Sequence, residues 1–304
     1  MAAGPLAFQP DVLAALGTGR PVVALESTII AHGLPRPQNL GLARDLEAIV
    51  REEGAVPATI ALMAGKIRIG LDDEQLRALA TSDDVAKVSR RDIAAVLAGG
   101  GLGATTVAGT MLAAHMAGIS VFATGGIGGV HRGAEESFDI SADLDELART
   151  PVLVVTAGAK AILDLPKTLE VLETRGVPVI GFGTDTFPAF WCGSSGLTVP
   201  TRLDCTEAIA QAFALHRRLA LGSGFVVANP IPEADALDRA TVERAIAQAL
   251  DDARRAGIGG RDVTPALLKR ILTTTAGASL RANIALVRNN ARLAARIALA
   301  LTRL

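Results

Sequence analysis

Tyrosine is missing from this 304-residue chain altogether, and aromatic residues make up only 3% of it. Platforms that stack the bases of single-stranded nucleic acid need such rings, so that class of function is excluded. An excess of charge of either sign is missing too: 30 Lys and Arg stand against 31 Asp and Glu, a net charge of -1. A broad basic footprint for nucleic acid and an acidic tail are both ruled out. Only two cysteines occur, Cys192 and Cys205, too few for a disulfide framework or a zinc site by themselves. Both are read as packing residues in a reducing, cytoplasmic setting. The opening Met-Ala-Ala-Gly-Pro has neither the basic nor the apolar region of a secretory signal. Residues 93–130 hold no Asp, Glu, Lys or Arg over 38 positions, but ten glycines interrupt them. A membrane span needs about 20 predominantly apolar helical residues, so this run is read as soluble core, with no membrane partner.

What is present is a regular alternation. Half of the residues are hydrophobic and a fifth are charged, the balance of a folded chain. Short apolar runs at 21–25, 58–63, 120–123, 151–156, 177–181 and 224–228 read as strands, with 65–70 as a hairpin partner. Helical spacing recurs at 38–53, 72–80, 91–97, 106–117, 163–174 and 206–221, and two more helices flank the turn at 257–260. Strands that are apolar throughout belong to sheets covered on both faces. The expected fold is therefore a three-layer α/β/α domain with a mostly parallel or mixed central sheet. No linker, charge block or repeat divides it, so residues 1–304 read as one domain. A final helix over 279–304 carries the stripe Ile284, Val287, Ala291, Ala294 and Ala298. That stripe packs either on its own core or on another subunit.

Lysine is scarce, with Lys66, Lys87, Lys160, Lys167 and Lys269 set against 25 arginines. Lys160 follows the clearest strand and precedes an apolar run read as a helix start, the place where open α/β sheets hold ligands. Burial and the positive end of a helix would both disfavour an ammonium there, favouring the free amine that forms Schiff bases. The competing reading is a lysine that reaches solvent or pairs with Asp164. Glu26 ends another apolar strand, where a carboxyl against apolar walls can serve as a general acid, or merely cap a turn. Lys87 opens the cationic stretch Lys87-Val-Ser-Arg-Arg-Asp92, suited to a phosphate or simply to solvent. Residues 124–133 are glycine-rich and end in His131-Arg132, a run whose backbone can approach an anion. It lacks the full dinucleotide fingerprint, and no nucleotide-kinase loop occurs elsewhere. Asp139 and Asp143 could share a hard divalent ion, or Ser141 or Asp143 could simply cap a short helix.

Longer motifs add to this reading. They are Ala24-Leu-Glu-Ser-Thr-Ile-Ile30, Gly54-Ala-Val-Pro-Ala-Thr-Ile-Ala61, Lys87 to Asp92, and Gly103-Ala-Thr-Thr-Val-Ala108. Further along come residues 122–134, Phe138-Asp-Ile-Ser-Ala-Asp-Leu144, Ala157-Gly-Ala-Lys-Ala-Ile-Leu-Asp164 and Val226-Val-Ala-Asn-Pro-Ile-Pro-Glu233. Together they resemble the pseudouridine-5'-phosphate glycosidase family, also called indigoidine synthase A-like, from about Pro21 to the last helix. The stretches 190–196 and 234–238 depart from the family pattern. The resemblance implies reversible cleavage of pseudouridine 5'-phosphate to uracil and ribose 5-phosphate. It implies Lys160 as the nucleophile that forms an imine adduct with the ring-opened sugar, and Glu26 as proton donor. By the same carry-over Lys87, Val107, Ser141, Ala142 and Asp143 bind substrate, and Thr124, His131 and Asn283 lie near it. Asp139 matches a manganese ligand, giving Mn2+ as the expected cofactor and a homotrimer as the expected assembly. A Schiff-base aldolase acting on another sugar phosphate and a non-catalytic sugar-phosphate sensor are the alternatives; uracil release separates the first, turnover the second.

Overall fold

Apolar strands stack side by side to form the centre of the protein, whose computed structural model describes residues 4–258 and 263–304. In chain order the strands are β1 Leu6–Phe8, β2 Val22–Leu25, β3 Val56–Met63, β4 Lys66–Ile69, β5 Val85–Val88, β6 Leu102–Thr105 and β7 Val121–Ala123. Then come β8 Val130–His131, β9 Leu153–Thr156, β10 Leu163–Asp164, β11 Val179–Phe182, β12 Thr201–Leu203 and β13 Phe225–Ala228. The main sheet runs β1-β4-β3-β2-β7-β9-β13-β11-β12, with β6 branching off β3 and carrying β5. From β3 through β2 to β12 every pairing is parallel, whereas β3 meets β4 and β6 antiparallel. β2, β3, β7, β9 and β13 are buried along their whole length, as strands covered on both faces must be. The expected mixed, mostly parallel sheet is what the chain forms.

The helices are α1 Pro10–Gly17, α2 Gln38–Glu52, α3 Asp73–Thr81, α4 Ile93–Gly99, α5 Val107–Met116 and α6 Ala134–Ser137. They continue as α7 Ala142–Leu147, α8 Leu165–Thr174, α9 Thr206–Arg218, α10 Arg239–Arg255, α11 Val263–Thr274 and α12 Ala278–Leu301. α12 packs on β2, β7 and β9 with α2 and α9 beside it, and α5 packs on β2, β3, β6 and β7. The apolar stripe of the last helix is thus spent on its own core: Val287, Ala291, Ala294 and Ala298 are all buried. Among the described residues no helix is long and apolar enough to cross a membrane.

Two readings of local structure change. The helix expected over 163–174 begins at Leu165, because Leu163 and Asp164 pair antiparallel with His131 and Val130. Asp164 then caps the helix through the Lys167 N–H at 3.1 Å, with a proline in the first turn. Cys192 is buried as expected, but Cys205 is exposed, standing at the N-cap position of α9. The turn at 257–260 lies partly outside the described residues.

Candidate active site

β2, β7 and β9 are parallel neighbours, so their carboxyl ends meet at one edge of the sheet. Glu26 leaves β2 there, Thr124 leaves β7, and the segment Ala157 to Lys160 leaves β9. The last two segments continue to run together beyond the strands. Ala157 N–H donates to the Gly125 carbonyl at 3.0 Å, Ile127 N–H to that of Gly158 at 3.1 Å, and Lys160 N–H to that of Ile127 at 3.1 Å. Gly158 has φ +87° and a Cβ there would collide with the Pro188 carbonyl, so the bend that presents Lys160 accepts only glycine. Lys160 stands five residues before its helix, which begins at Leu165, and not at the helix start; its place is the sheet edge.

Glu26, Lys87, Lys160 and Asn283 line one cleft. Its other walls are Thr28, the π-helical turn Ile29–Gly33 with His32, the backbone of Gly125 and Gly126, and the side chains of Phe190 and Leu268. Burial pushes the Glu26 carboxyl above the usual carboxylate range. The positive charge of Lys160 and a short hydrogen bond from the Thr124 hydroxyl oppose that rise, the negative charge of Asp143 adds to it, and Lys87 opposes it weakly. His32 is held below the usual imidazole range, chiefly by burial and then by the charge of Lys87. The cleft thus combines a carboxyl biased toward its protonated form with two lysines, the pattern by which titratable pairs mark catalytic sites.

The glycine-rich loop is held from behind. Asp143 is buried, its Oδ1 accepting from the Ala108 N–H at 2.9 Å and its Oδ2 from the Gly128 N–H at 2.8 Å. It ties the start of α5, which Val107 opens, to the loop. On the α12 side, buried Asn290 donates to the Thr124 carbonyl at 2.8 Å and accepts from Asn229 at 2.9 Å. These two asparagines fix the carbonyl of the very residue whose hydroxyl holds Glu26.

The remaining expected residues lie around this cleft without lining it. Thr124 is fully buried and reaches the site through Glu26. Ser141 caps α7, accepting from the Asp143 N–H at 3.3 Å, and Ala142 is the exposed first residue of that helix. His131 lies on β8 with its Nδ1 3.8 Å from Asp139 Oδ2. It is held below the usual imidazole range by burial first; Asp139 opposes, and the charges of Lys160 and Lys87 add. Lys87 belongs to β5 itself. The competing partner for Lys160 is taken, since Asp164 pairs with Lys167 at 3.1 Å. Phe190, Leu268 and Asn290 carry no spacing that marks them in the sequence, and Asn229 is marked only as part of a longer motif; tertiary packing brings them here.

The shared ion imagined between Asp139 and Asp143 does not fit, because both Asp143 oxygens already hold backbone N–H groups. Among the described residues no group of three His, Cys, Asp or Glu side chains converges as a protein metal cage requires. Asp139, a third exposed, offers a single carboxylate. A hard cation completed by water and ligand oxygens is compatible with that.

With this geometry in hand, comparison with known proteins is informative. Residues 11–300 match the family described as indigoidine synthase A like protein. A pseudouridine-5'-phosphate glycosidase of Methylobacterium nodulans is 61% identical over 296 residues, covering 97% of this chain and 88% of that protein. One from Caldanaerobacter subterraneus is 59% identical over 294 residues, covering 97% and 96%. Among solved structures, the prealnumycin C-glycosynthase in complex with ribulose 5-phosphate superposes with a TM-score of 0.92 at 42% identity, covering 99% of this chain and 98% of that one. An indigoidine synthase A-like protein of Thermotoga maritima gives 0.89 at 35%, covering 100% and 99%. A match running through nearly the whole chain, on a sheet edge that gathers Glu26, Lys87 and Lys160, makes this protein a member of the indigoidine synthase A-like family.

Proposed function

We propose that this enzyme reversibly breaks the C–C glycosidic bond of pseudouridine 5'-phosphate, giving uracil and ribose 5-phosphate. The observation that carries the reading is one cleft holding Lys160 beside a carboxyl, Glu26, that burial biases toward its protonated form. The names of relatives about 60% identical support the substrate, and a related C-glycosynthase that binds a pentulose phosphate supports chemistry at a sugar carbon.

Two carboxylates and a water do not suffice for such a bond, because the leaving group would be a carbanion. Opening the sugar first removes that difficulty. The Lys160 amine bonds C1' as the C1'–O4' bond breaks, and Glu26 delivers its proton to O4'. The adduct nitrogen then gives up a proton, which the Glu26 carboxylate can accept, and its lone pair forms a C=N bond while the C1'–C5 bond breaks. Its electrons pass to the pyrimidine, which takes up a proton and departs as uracil. Water then hydrolyses the imine, freeing Lys160 and ribose 5-phosphate. One hard step becomes two easier ones. Lys87, with the backbone of the glycine-rich loop, supplies positive potential for the phosphate, whose binding positions C1'.

Asp139 is the proposed manganese ligand; a bound ion would neutralise charge on substrate oxygens. Mn2+ titration followed by electron paramagnetic resonance tests this without recourse to turnover, and undiminished binding by Asp139→Asn removes it. The proposed homotrimer is checked by sedimentation equilibrium. The reaction itself is tested by uracil formation from pseudouridine 5'-phosphate, and by borohydride trapping of ribose 5-phosphate. A single sugar phosphate reduced onto Lys160 is expected; no uracil release, or an adduct on another residue, defeats the proposal.

A further inference from the structure

Helix α12 carries an amide where its packing asks for none. Asn290 is fully buried, on a helix face where Val287, Ala291 and Ala294 are buried too. A carboxamide in such a place destabilises the fold unless its donors and acceptor are used. Both ends are used here. Nδ2 donates to the Thr124 carbonyl at 2.8 Å and reaches that of Gly125 at 3.4 Å, while Oδ1 accepts from Asn229 Nδ2 at 2.9 Å. Asn229 directly follows β13 and is tied to β9, its N–H donating to the Thr156 carbonyl at 2.8 Å. The Thr124 hydroxyl in turn donates to Glu26 Oε1. One polar chain therefore runs from the end of β13 through α12 to the ends of β7 and β2, and its last member is the proposed acid. A satisfied buried network of this kind specifies one geometry, which an apolar side chain at 290 would not.

A hydroxyl that donates to Oε1 leaves Oε2 to carry the carboxyl proton, so the placement of Thr124 decides which oxygen meets O4'. A general acid must stand within hydrogen-bond reach of the atom it protonates, and a displacement of about 1 Å can cost roughly 10²-fold in rate. We infer that Asn290, backed by Asn229, is the positioning residue of this acid: it fixes the Thr124 backbone so that the hydroxyl holds Oε1 and Oε2 presents the proton to the cleft. Neither asparagine lines the cleft, and both act through Thr124. The inference rests on the reaction proposed above and adds what aims its proton.

The test is Asn290→Leu, which keeps the bulk and removes the donor. Its kcat for pseudouridine 5'-phosphate cleavage should fall about 10²-fold, with KM little changed. Borohydride trapping of ribose 5-phosphate, whose open-chain form needs no proton at O4', should suffer far less. The Thr124 hydrogen bond opposes the raised proton affinity of Glu26, while the charges of Lys160, Lys87 and Asp143 that also act on it stay in place. Losing the hydroxyl should therefore move the alkaline limb of the kcat profile to higher pH, which loosened packing alone would not do. In a Glu26→Gln background the same substitution should cost nothing further, because no proton remains to be aimed. An unchanged kcat, a limb that stays in place, or losses that multiply in the double variant each overturn the inference. Should Asn290→Leu not fold, Asn229→Ala leaves Asn290 in place and should show the same pattern with a smaller loss; a folded Asn229→Ala with native kcat and native pH profile overturns it equally. Absence of uracil release by the native enzyme would instead strike the reaction itself, so the two failures are distinct.

Discussion

Glu146 and Glu26 both lose solvent in the folded protein, and they are treated in opposite ways. Glu146 on α7 is fully buried and receives a fork from Arg90, at 2.5 and 2.6 Å, together with the Thr150 hydroxyl and Arg149 at 3.5 Å. Glu26 receives one hydroxyl and the more distant charges of Lys160 and Lys87, and burial outweighs them. A carboxylate that must stay charged inside a protein is given a guanidinium fork. A carboxyl that must carry a proton is given too little positive charge to hold it ionised. The difference separates a fastening, here between the turn after β5 and helix α7, from the proposed proton donor of the cleft.

Removing the reagents should dominate any activity series. Lys160→Ala is expected to lower turnover roughly 10⁴-fold or more, since covalent catalysis ends with the amine. Steady-state assay with borohydride trapping checks this, and ordinary turnover by that variant would erase the distinction drawn above. Glu26→Gln, which keeps the shape but cannot deliver the proton, should lower kcat by about 10²- to 10⁴-fold. Trapping of ribose 5-phosphate, which arrives as an equilibrium mixture containing open-chain aldehyde, should suffer less than pseudouridine 5'-phosphate cleavage. Equal losses in the two assays would place Glu26 in binding rather than in proton transfer.

Removing the fastening should instead be felt in stability. Arg90→Met leaves the buried Glu146 carboxylate with Arg149 and Thr150 only, and is expected to cost about 3 kcal/mol. Combining it with Glu146→Gln should restore most of that loss, because the buried charge goes too. Urea unfolding at neutral pH reads both. A loss under about 0.5 kcal/mol for Arg90→Met would mean that the fork is no more than a surface pair.

The proposed reagents are legible in the sequence, and most of their setting is not. Glu26 and Lys160 stand out because each is an ionisable residue at the end of an apolar strand, and parallel β2, β7 and β9 bring such ends together. The apolar run after Lys160 nonetheless reads as a helix start. The true start was signalled by Asp164-Leu-Pro166, a cap followed by a proline in the first turn, which outweighs the apolar run before it. Thr124, Asn229 and Asn290 act through hydrogen bonds between segments up to 166 residues apart, and no local period records such a bond. Asp143 is legible as a carboxylate, and acids four apart suggest an ion, but only the fold shows backbone N–H groups on both of its oxygens.

The smallest effect is the most direct measure of the contrast between the glutamates. Glu26 has its proton affinity raised in the folded state, so native protein binds more protons than unfolded chain between the usual carboxylate range and the raised value. The stabilisation from that proton is complete below the usual range and is lost as pH rises through the folded value. Glu26→Gln resembles the protonated acid at every pH and escapes the loss. Native enzyme and variant should therefore unfold with similar free energies in mild acid. Toward neutral pH the variant should become the more stable, by at most about 1.4 kcal/mol per pH unit across the window. Denaturant unfolding from mild acid to neutral pH would show it. Two curves that stay parallel, or a variant that weakens as pH rises, would mean that burial does not raise the proton affinity of Glu26 and that the sheet edge makes no acid.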